Sequence, residues 1–203
     1  MMPKATIINY GVGNLFSIKC SLERAGFKVG FHPGENVDLR DSDAIVLPGV
    51  GNFGAGAKNI EGVKVKLLEA IGDGIPVLGV CLGMQLLFEG SEESPERGLG
   101  ILGGRVIRLP RGVKIPHMGW NSLSIVKQVS LLEDISVKDL FYFVHSYHAA
   151  PKDRDVIAAE TEYGTRFPSV IVQGNIFGVQ FHPEKSGKPG ERILRNFMNA
   201  VKR

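Results

Sequence analysis

Two textures divide the hydrophobic pattern of this chain. In the first half, short apolar runs alternate with segments whose apolar residues fall at helical spacing. Ala5 to Asn9 predicts a buried strand, and Gly11-Val12-Gly13 then turns the chain. Asn14 stands where a helix N-cap is wanted, and Leu15 to Ala25 carries Leu15, Ile18 and Leu22 on one face before Gly26 ends it. Lys28–Phe31 and Ala44–Leu47 predict two further strands. Ile60, Val63, Leu67, Leu68 and Ile71 fall at helical intervals, with Gly72 and Gly74 closing that helix. Val77, Leu78 and Val80 form a partly β-branched run that stops at Cys81, and Leu82 to Phe88 is rich in helix formers.

From Gly98 the pattern changes to strand-like stretches separated by turn residues: Ile101–Leu109, Asn121–Val126, Leu140–Tyr147, Val156–Thr161, Ser169–Gln173 and Ile176–Phe181. A last helix is predicted over Glu191–Val201, with Ile193, Leu194, Phe197, Met198 and Val201 as its apolar face. Strand–helix alternation argues for βα units around a mostly parallel, twisted α/β sheet with helices on both faces, and the later segments add antiparallel hairpins. No internal repeat or linker interrupts the 203 residues, so one domain over 1–203 is expected.

Composition narrows the class without naming it. A hydrophobic fraction of 43% with 22% charged residues is that of a globular protein with a full core. The formal net charge of +3 is too small to argue for nucleic acid, and Lys202-Arg203 reads as a solvated helix end. No apolar run approaches the roughly 18 residues of a membrane span, and Met-Met-Pro-Lys-Ala-Thr-Ile-Ile-Asn lacks the features of a signal peptide. The two cysteines lie far apart and form no C-x-x-C pair, which suits a reducing, cytoplasmic setting. Cys20 falls inside a predicted helix and reads as core.

Cys81 differs from Cys20 in its setting. Gly79-Val80-Cys81-Leu82-Gly83 is the thiol form of the strand–nucleophile–helix elbow, G-x-S-x-G. The glycines let neighbouring backbones approach, and a cysteine there would face the N-terminus of the following helix, whose partial positive charge favours a negative sulfur. A buried structural cysteine between two turn glycines is the plain alternative. Pro48-Gly49-Val50-Gly51-Asn52-Phe53-Gly54, after the third predicted strand, holds too many glycines for an ordinary loop and suits a backbone whose N–H groups face a ligand. Gly11-Val12-Gly13-Asn14 lacks the third glycine of a dinucleotide fingerprint, and a tight strand–helix turn explains it better.

A nucleophilic thiol needs a base, and the base needs an orienting group. Of five histidines, His182 ends the strand Phe177–Phe181 and is followed by Pro183-Glu184. Proline holds the preceding residue extended, so His182 and Glu184, two apart, can project to one side.

Taken together, Pro-Gly-Val-Gly (48–51), Gly-Val-Cys-Leu-Gly-Met-Gln (79–85) and Phe-His-Pro-Glu (181–184) resemble the class I, or triad, glutamine amidotransferases, over nearly the whole chain and in the family's order. Within that family, Asn-Tyr-Gly-Val-Gly-Asn (9–14), Pro-His-Met-Gly-Trp-Asn (116–121), Phe-Val-His-Ser-Tyr (143–147) and His-Pro-Glu-Lys-Ser (182–186) are similar to the glutaminase subunits of imidazole glycerol phosphate synthases. The Lys185-Ser186 ending separates them from the anthranilate and carbamoyl phosphate glutaminases.

The resemblance implies a flavodoxin-like fold and hydrolysis of L-glutamine to glutamate and ammonia, with no cofactor and no metal. Cys81 would be the nucleophile, His182 the acid and base, and Glu184 the group that orients it. Backbone N–H groups of Leu82 and of Gly49, Val50 and Gly51 would hold the oxyanion. Gln85 and Glu93, with the backbone at Ser146 and Tyr147, would grip the amino-acid end of glutamine; Glu93 also reads as part of a solvated acidic loop with Glu92 and Glu96. Ammonia would pass to a cyclase/synthase βα-barrel subunit, and Asn14, Trp120, Tyr142 and Lys185 would lie at or near that docking face. Trp120, the sole tryptophan, also reads as core. His117, His145 and His148 receive no role. Glutaminases for anthranilate, aminodeoxychorismate or pyridoxal phosphate synthesis, and cysteine hydrolases of related elbow folds, remain the alternatives.

Overall fold

In a computed structural model, residues 2–32 and 38–202 are described. In chain order the elements are β1 (Lys4–Ile8), α1 (Leu15–Ala25), β2 (Lys28–His32), β3 (Ala44–Leu47), α2 (Phe53–Ile60), α3 (Lys64–Gly72), β4 (Val77–Val80) and α4 (Leu82–Gln85). The second half supplies β5 (Gly104–Arg108), β6 (His117–Ser122), β7 (Ser124–Ile125), β8 (Leu140–His145), β9 (Tyr147–Pro151), β10 (Ile157–Glu162), β11 (Arg166–Gln173), β12 (Ile176–Val179) and α5 (Gly187–Val201).

The central sheet has eight strands in the order β2-β1-β3-β4-β12-β11-β10-β7. The first five are parallel and the last three antiparallel. Strand alternation sends side chains into two cores. Ala5, Ile7, Ala44, Val46, Leu78, Val80, Phe177 and Val179 pack with Ile18 and Leu22 of α1 and Ile193, Leu194 and Phe197 of α5. Ile8, Ile45, Leu47, Val77 and Ile176 pack with Phe53, Ala57 and Ile60 of α2 and Leu67, Ala70 and Ile71 of α3. Helices thus cover both faces, as a parallel sheet requires.

The site depends most on one pairing. β12, the last strand in sequence, lies parallel to β4, with Gly178 opposite Gly79 and Val179 opposite Val80. Their carboxyl ends share one edge of the sheet, so the residues that leave Val80 and those that leave Val179 meet there. Two antiparallel ribbons, β5–β9 and β6–β8, lie outside the main sheet.

Several elements differ from expectation. The helical spacing through Ile71 belongs to two helices joined by a 3₁₀ turn at Glu61–Val63. α2 starts at Phe53, capped by the Asn52 side chain on Ala55 N, so Phe53 and Gly54 are not loop. Leu68 is 36% exposed and lies off the buried face of α3. α4 is a single turn instead of reaching Phe88, because Leu87 N and Phe88 N bond in a 3₁₀ pattern to Met84 O and Gln85 O. The expected strand at Leu140–Tyr147 breaks at Ser146, β8 pairing with β6 and β9 with β5. β6 begins at His117, four residues before the expected strand. Its polar and glycine residues hide the period-2 pattern. Met1 and Arg203 lie outside the described residues. Cys20 is half-buried on α1 and unpaired to another cysteine. No helix among the described residues is long and apolar enough to cross a membrane.

Candidate active site

Cys81 follows β4 with φ 53° and ψ −107°, one of two non-glycine residues at positive φ among those described. An L-residue held there stores strain on the order of 1–3 kcal/mol, which the surrounding structure must enforce. The enforcement is visible. Cys81 N donates to Val179 O at 2.8 Å, and Gln85 N to Cys81 O at 3.1 Å. A Cβ on Gly83 would fall 1.9 Å from the Leu47 carbonyl oxygen, and one on Gly79 would fall 2.7 Å from Gly83 O. The elbow closes only because both positions lack side chains.

On the neighbouring strand, His182 lies three residues past β12. Its ring is buried, and Nδ1 lies 2.8 Å from Glu184 Oε1. The backbone is clamped from β8: His182 N donates to Tyr142 O at 2.9 Å. Ser186 Oγ donates to His182 O at 2.6 Å and accepts from Tyr142 N at 3.0 Å. The other ring nitrogen, Nε2, is buried and faces no oxygen or nitrogen partner among the described residues; the Cys81 sulfur is its polar neighbour. Burial pulls the His182 pKa down, but the neighbouring Cys81 sulfur and the Glu184 carboxylate outweigh it and raise it from 6.5 to about 10.

Two residues that motif reading missed complete the surroundings of the sulfur. Gln180 Nε2 donates to Cys81 Sγ at 3.6 Å, while Gln180 Oε1 accepts from Gln85 Nε2 at 3.0 Å. Gln180 precedes His182 by two, a spacing that in extended chain can bring two side chains to one side; that was a signal available in the sequence. Tyr10 donates its phenol proton to the Pro48 carbonyl, and burial, then the nearby Cys81, push its pKa up. Val144 O lies 3.9 Å from Cys81 Sγ.

A cavity of about 350 Å³ opens beside the sulfur, lined in part by Val50, Gly51, Cys81, Leu82, Glu93 and Tyr147. Gln85, Ser146, His145 and Lys185 line it too. Gly49 presses against α4 instead: a Cβ there would meet Leu82 Cβ at 2.6 Å. Gly51 has φ +117°, a backbone state that only glycine takes readily. Gln85 commits its amide nitrogen to Tyr147 O at 2.9 Å as well as to Gln180. Glu93 is no free surface charge, since its Oε2 accepts from Phe53 N, at the start of α2, at 2.7 Å. Trp120 is 55% exposed, so it is not core. It meets the Tyr142 ring edge-on at 5.8 Å, and Lys185 Nζ stands 5.7 Å from that ring's centroid. Asn14 caps α1 by accepting a bond from Ser17 N, a structural task in its own right.

A strained cysteine at the tip of a parallel strand, beside a carboxylate-held histidine from the next strand, defines a class. The family "Glutamine amidotransferase class-I" matches residues 6–201, and the chain belongs to that family. It is 48% identical over 198 residues to the "Imidazole glycerol phosphate synthase subunit HisH" of Pyrococcus furiosus, covering 97% of this chain and 98% of that protein. It is 49% identical over 196 residues to the subunit of the same name from Methanocaldococcus jannaschii, covering 96% and 98%. Among solved structures, PurLQS from Thermotoga maritima superposes with a TM-score of 0.81 at 21% identity, over 99% of this chain and 100% of that one. At that identity the likeness speaks for the fold.

Proposed function

We propose that Cys81, His182 and Glu184 form the catalytic triad of this chain, a glutaminase subunit of imidazole glycerol phosphate synthase serving histidine biosynthesis. The observation that carries the triad is the buried Nε2 of His182, left to the neighbouring Cys81 sulfur while Nδ1 is held by Glu184. A buried ring nitrogen whose one polar neighbour is a sulfur asks for a reason. A proton shuttled to and from a neighbouring sulfur and a departing group supplies one.

In the proposed sequence, the Cys81 sulfur attacks the side-chain carboxamide carbon of L-glutamine, forming a C–S bond. The negative oxygen is met by backbone N–H groups at Leu82 and along Gly49–Gly51, where one such donor can contribute about 3 kcal/mol to the transition state. Collapse breaks the C–N bond, and the His182 imidazolium protonates the nitrogen as ammonia leaves. His182 then takes a proton from water, which attacks the thioester, releasing glutamate and restoring the sulfur. Glu184 keeps Nδ1 protonated throughout and so leaves Nε2 as the working nitrogen. Gln85, Glu93, Ser146 and Tyr147 lie where the amino-acid end of glutamine would sit; the Gln85 amide acts by buttressing Tyr147 and Gln180.

Ammonia passes to a cyclase/synthase βα-barrel partner, which combines it with a phosphoribulosyl-formimino carboxamide ribotide. The products are imidazole glycerol phosphate and an aminoimidazole carboxamide ribotide. Exposed Trp120 and Lys185 flank the half-buried Tyr142 in one aromatic–cationic group suited to that docking face, and Asn14 is assigned there by motif alone. We place the reaction in the cytoplasm, in one domain over residues 1–203. Glutamate release by the complex should fall by roughly 10²–10⁴ in His182→Asn; a fall of less than about threefold would remove His182 from the chemistry.

A further inference from the structure

The β6–β8 ribbon holds a line of polar contacts that the triad does not use. His117 and His145 face each other across it, with His117 Nδ1 3.1 Å from His145 Nε2. His145 Nδ1 lies 2.9 Å from the Tyr147 carbonyl, and Asn121 Nδ2 lies 3.4 Å from His117 Nε2. The two ends determine where the protons are. A carbonyl only accepts, so His145 Nδ1 carries hydrogen, and a neutral ring then leaves Nε2 as an acceptor. His117 Nδ1 must therefore donate, and its Nε2 accepts from the amide. The orientation of that amide is set independently. Asn121 Nδ2 also donates to Glu162 O at 3.0 Å, and Asn121 Oδ1 accepts from Ser122 N at 2.9 Å.

Both rings are held neutral. Burial lowers His145 to about 3, opposed by its bond to Tyr147 and helped by any positive charge on the neighbouring His117, His148 or His182. Burial lowers His117 to about 4. The His117 ring is sandwiched between Phe143, at 4.9 Å, and Tyr163, at 4.0 Å.

The line ends at the corner between β8 and β9. Tyr147 O receives His145 and, from the other side, Gln85 Nε2 at 2.9 Å, so both of its lone pairs are taken. Ser146 O is used by Leu109 N at 3.0 Å. Ser146, Tyr147 and His145 line the cavity beside Cys81. Since both ring nitrogens of His145 are spent in the line, it keeps no donor or acceptor for a ligand.

We propose that His117 and His145 are positioning residues for glutamine: a one-way hydrogen-bond relay from Asn121 to the Tyr147 carbonyl fixes the Ser146–Tyr147 corner as a wall of the glutamine pocket. The proposal rests on the glutaminase reading of that pocket.

The test uses the chain in complex with its cyclase partner. His117→Phe keeps an aromatic ring between Phe143 and Tyr163 but removes the donor to His145. His117→Asn restores an N–H close to the position of Nδ1. His117→Phe should raise KM for glutamine roughly tenfold, the value of one buried hydrogen bond, with kcat changed less than about twofold. His117→Asn should bring KM back to within about threefold of wild type. An unchanged KM in His117→Phe, or equal losses in both variants, overturns the relay. ¹⁵N NMR of the wild-type histidines tests it without any variant. His117 and His145 should both be neutral and protonated at Nδ1, and an Nε2–H tautomer in either ring overturns the proposal. That spectrum does not depend on catalysis, so a complex that fails to hydrolyse glutamine would fault the function and leave the relay to be judged by NMR.

Discussion

Cys81 and His182 are each held in a state that an isolated residue would not choose. Cys81 keeps a strained backbone, and His182 keeps its charge despite burial. The raised His182 pKa has two consequences of known sign. Since the folded value, about 10, lies above the ordinary 6.5, the His182 contribution to stability is full below pH 6.5 and is lost as pH rises through about 10. A proposed step that needs the imidazolium should fail over the same alkaline range. In Glu184→Gln one of the two charges that raise His182 is gone, so the alkaline limb of kcat/KM should move to lower pH. A pH–rate profile checks this, and an unmoved limb would disconnect Glu184 from His182. Cys81, His182 and Glu184 could be picked out because each belongs to a short local motif. Gln180 was signalled only by its spacing of two from His182, and Tyr10 and Val144 could not be picked out at all, since their approach to the sulfur depends on which strands pair and in what register.

The elbow and the β6–β8 ribbon show opposite relations between pattern and structure. In the elbow, local sterics leave no choice. Gly83→Ala places a Cβ against the Leu47 carbonyl and should destabilise the fold by roughly 3 kcal/mol or more. Gly72→Ala, at the end of α3 with open space around it, should be neutral or slightly stabilising. Denaturant unfolding of the two variants makes the comparison. The boundaries of α1 and β3 were readable because α1 has an asparagine cap and a closing glycine and β3 is buried on both faces. In the ribbon, β8 was readable within Leu140–Tyr147 but β6 was not, because His117-Met-Gly-Trp-Asn mixes exposed apolar with buried polar side chains. Its buried His117 and His145 have lowered pKa values, so their contribution to stability is present above pH 6.5 and lost as pH falls towards 4 and 3. Acid unfolding should therefore begin below pH 6.5, and His117→Phe should flatten part of that slope. A slope identical to wild type would contradict the neutral, buried state of His117.

At the scale of the whole molecule, the parallel pairing of β4 with β12 joins residues about a hundred positions apart at one sheet edge. The same edge leads through Tyr142, whose backbone clamps His182 and whose ring meets Trp120. Docking on this face would thus bear on the backbone that holds the histidine. Trp120→Ala should leave the free chain folded, because the residue is 55% exposed, and weaken the complex by about 2 kcal/mol, roughly thirtyfold in Kd. Gly51, at φ +117° with open space around it, can turn its peptide at little steric cost, and we expect the partner to select the orientation that meets the oxyanion. The isolated chain should then hydrolyse glutamine much more slowly than the complex.

The most direct test compares two nitrogen sources in the complex of the Cys81→Ala chain with its cyclase partner. Imidazole glycerol phosphate formation from glutamine should be lost, by a factor of at least about 10³, while formation from added ammonia continues at the wild-type rate. Glutamine-dependent synthesis surviving the loss of the Cys81 sulfur would contradict the thioester chemistry and the site built around it.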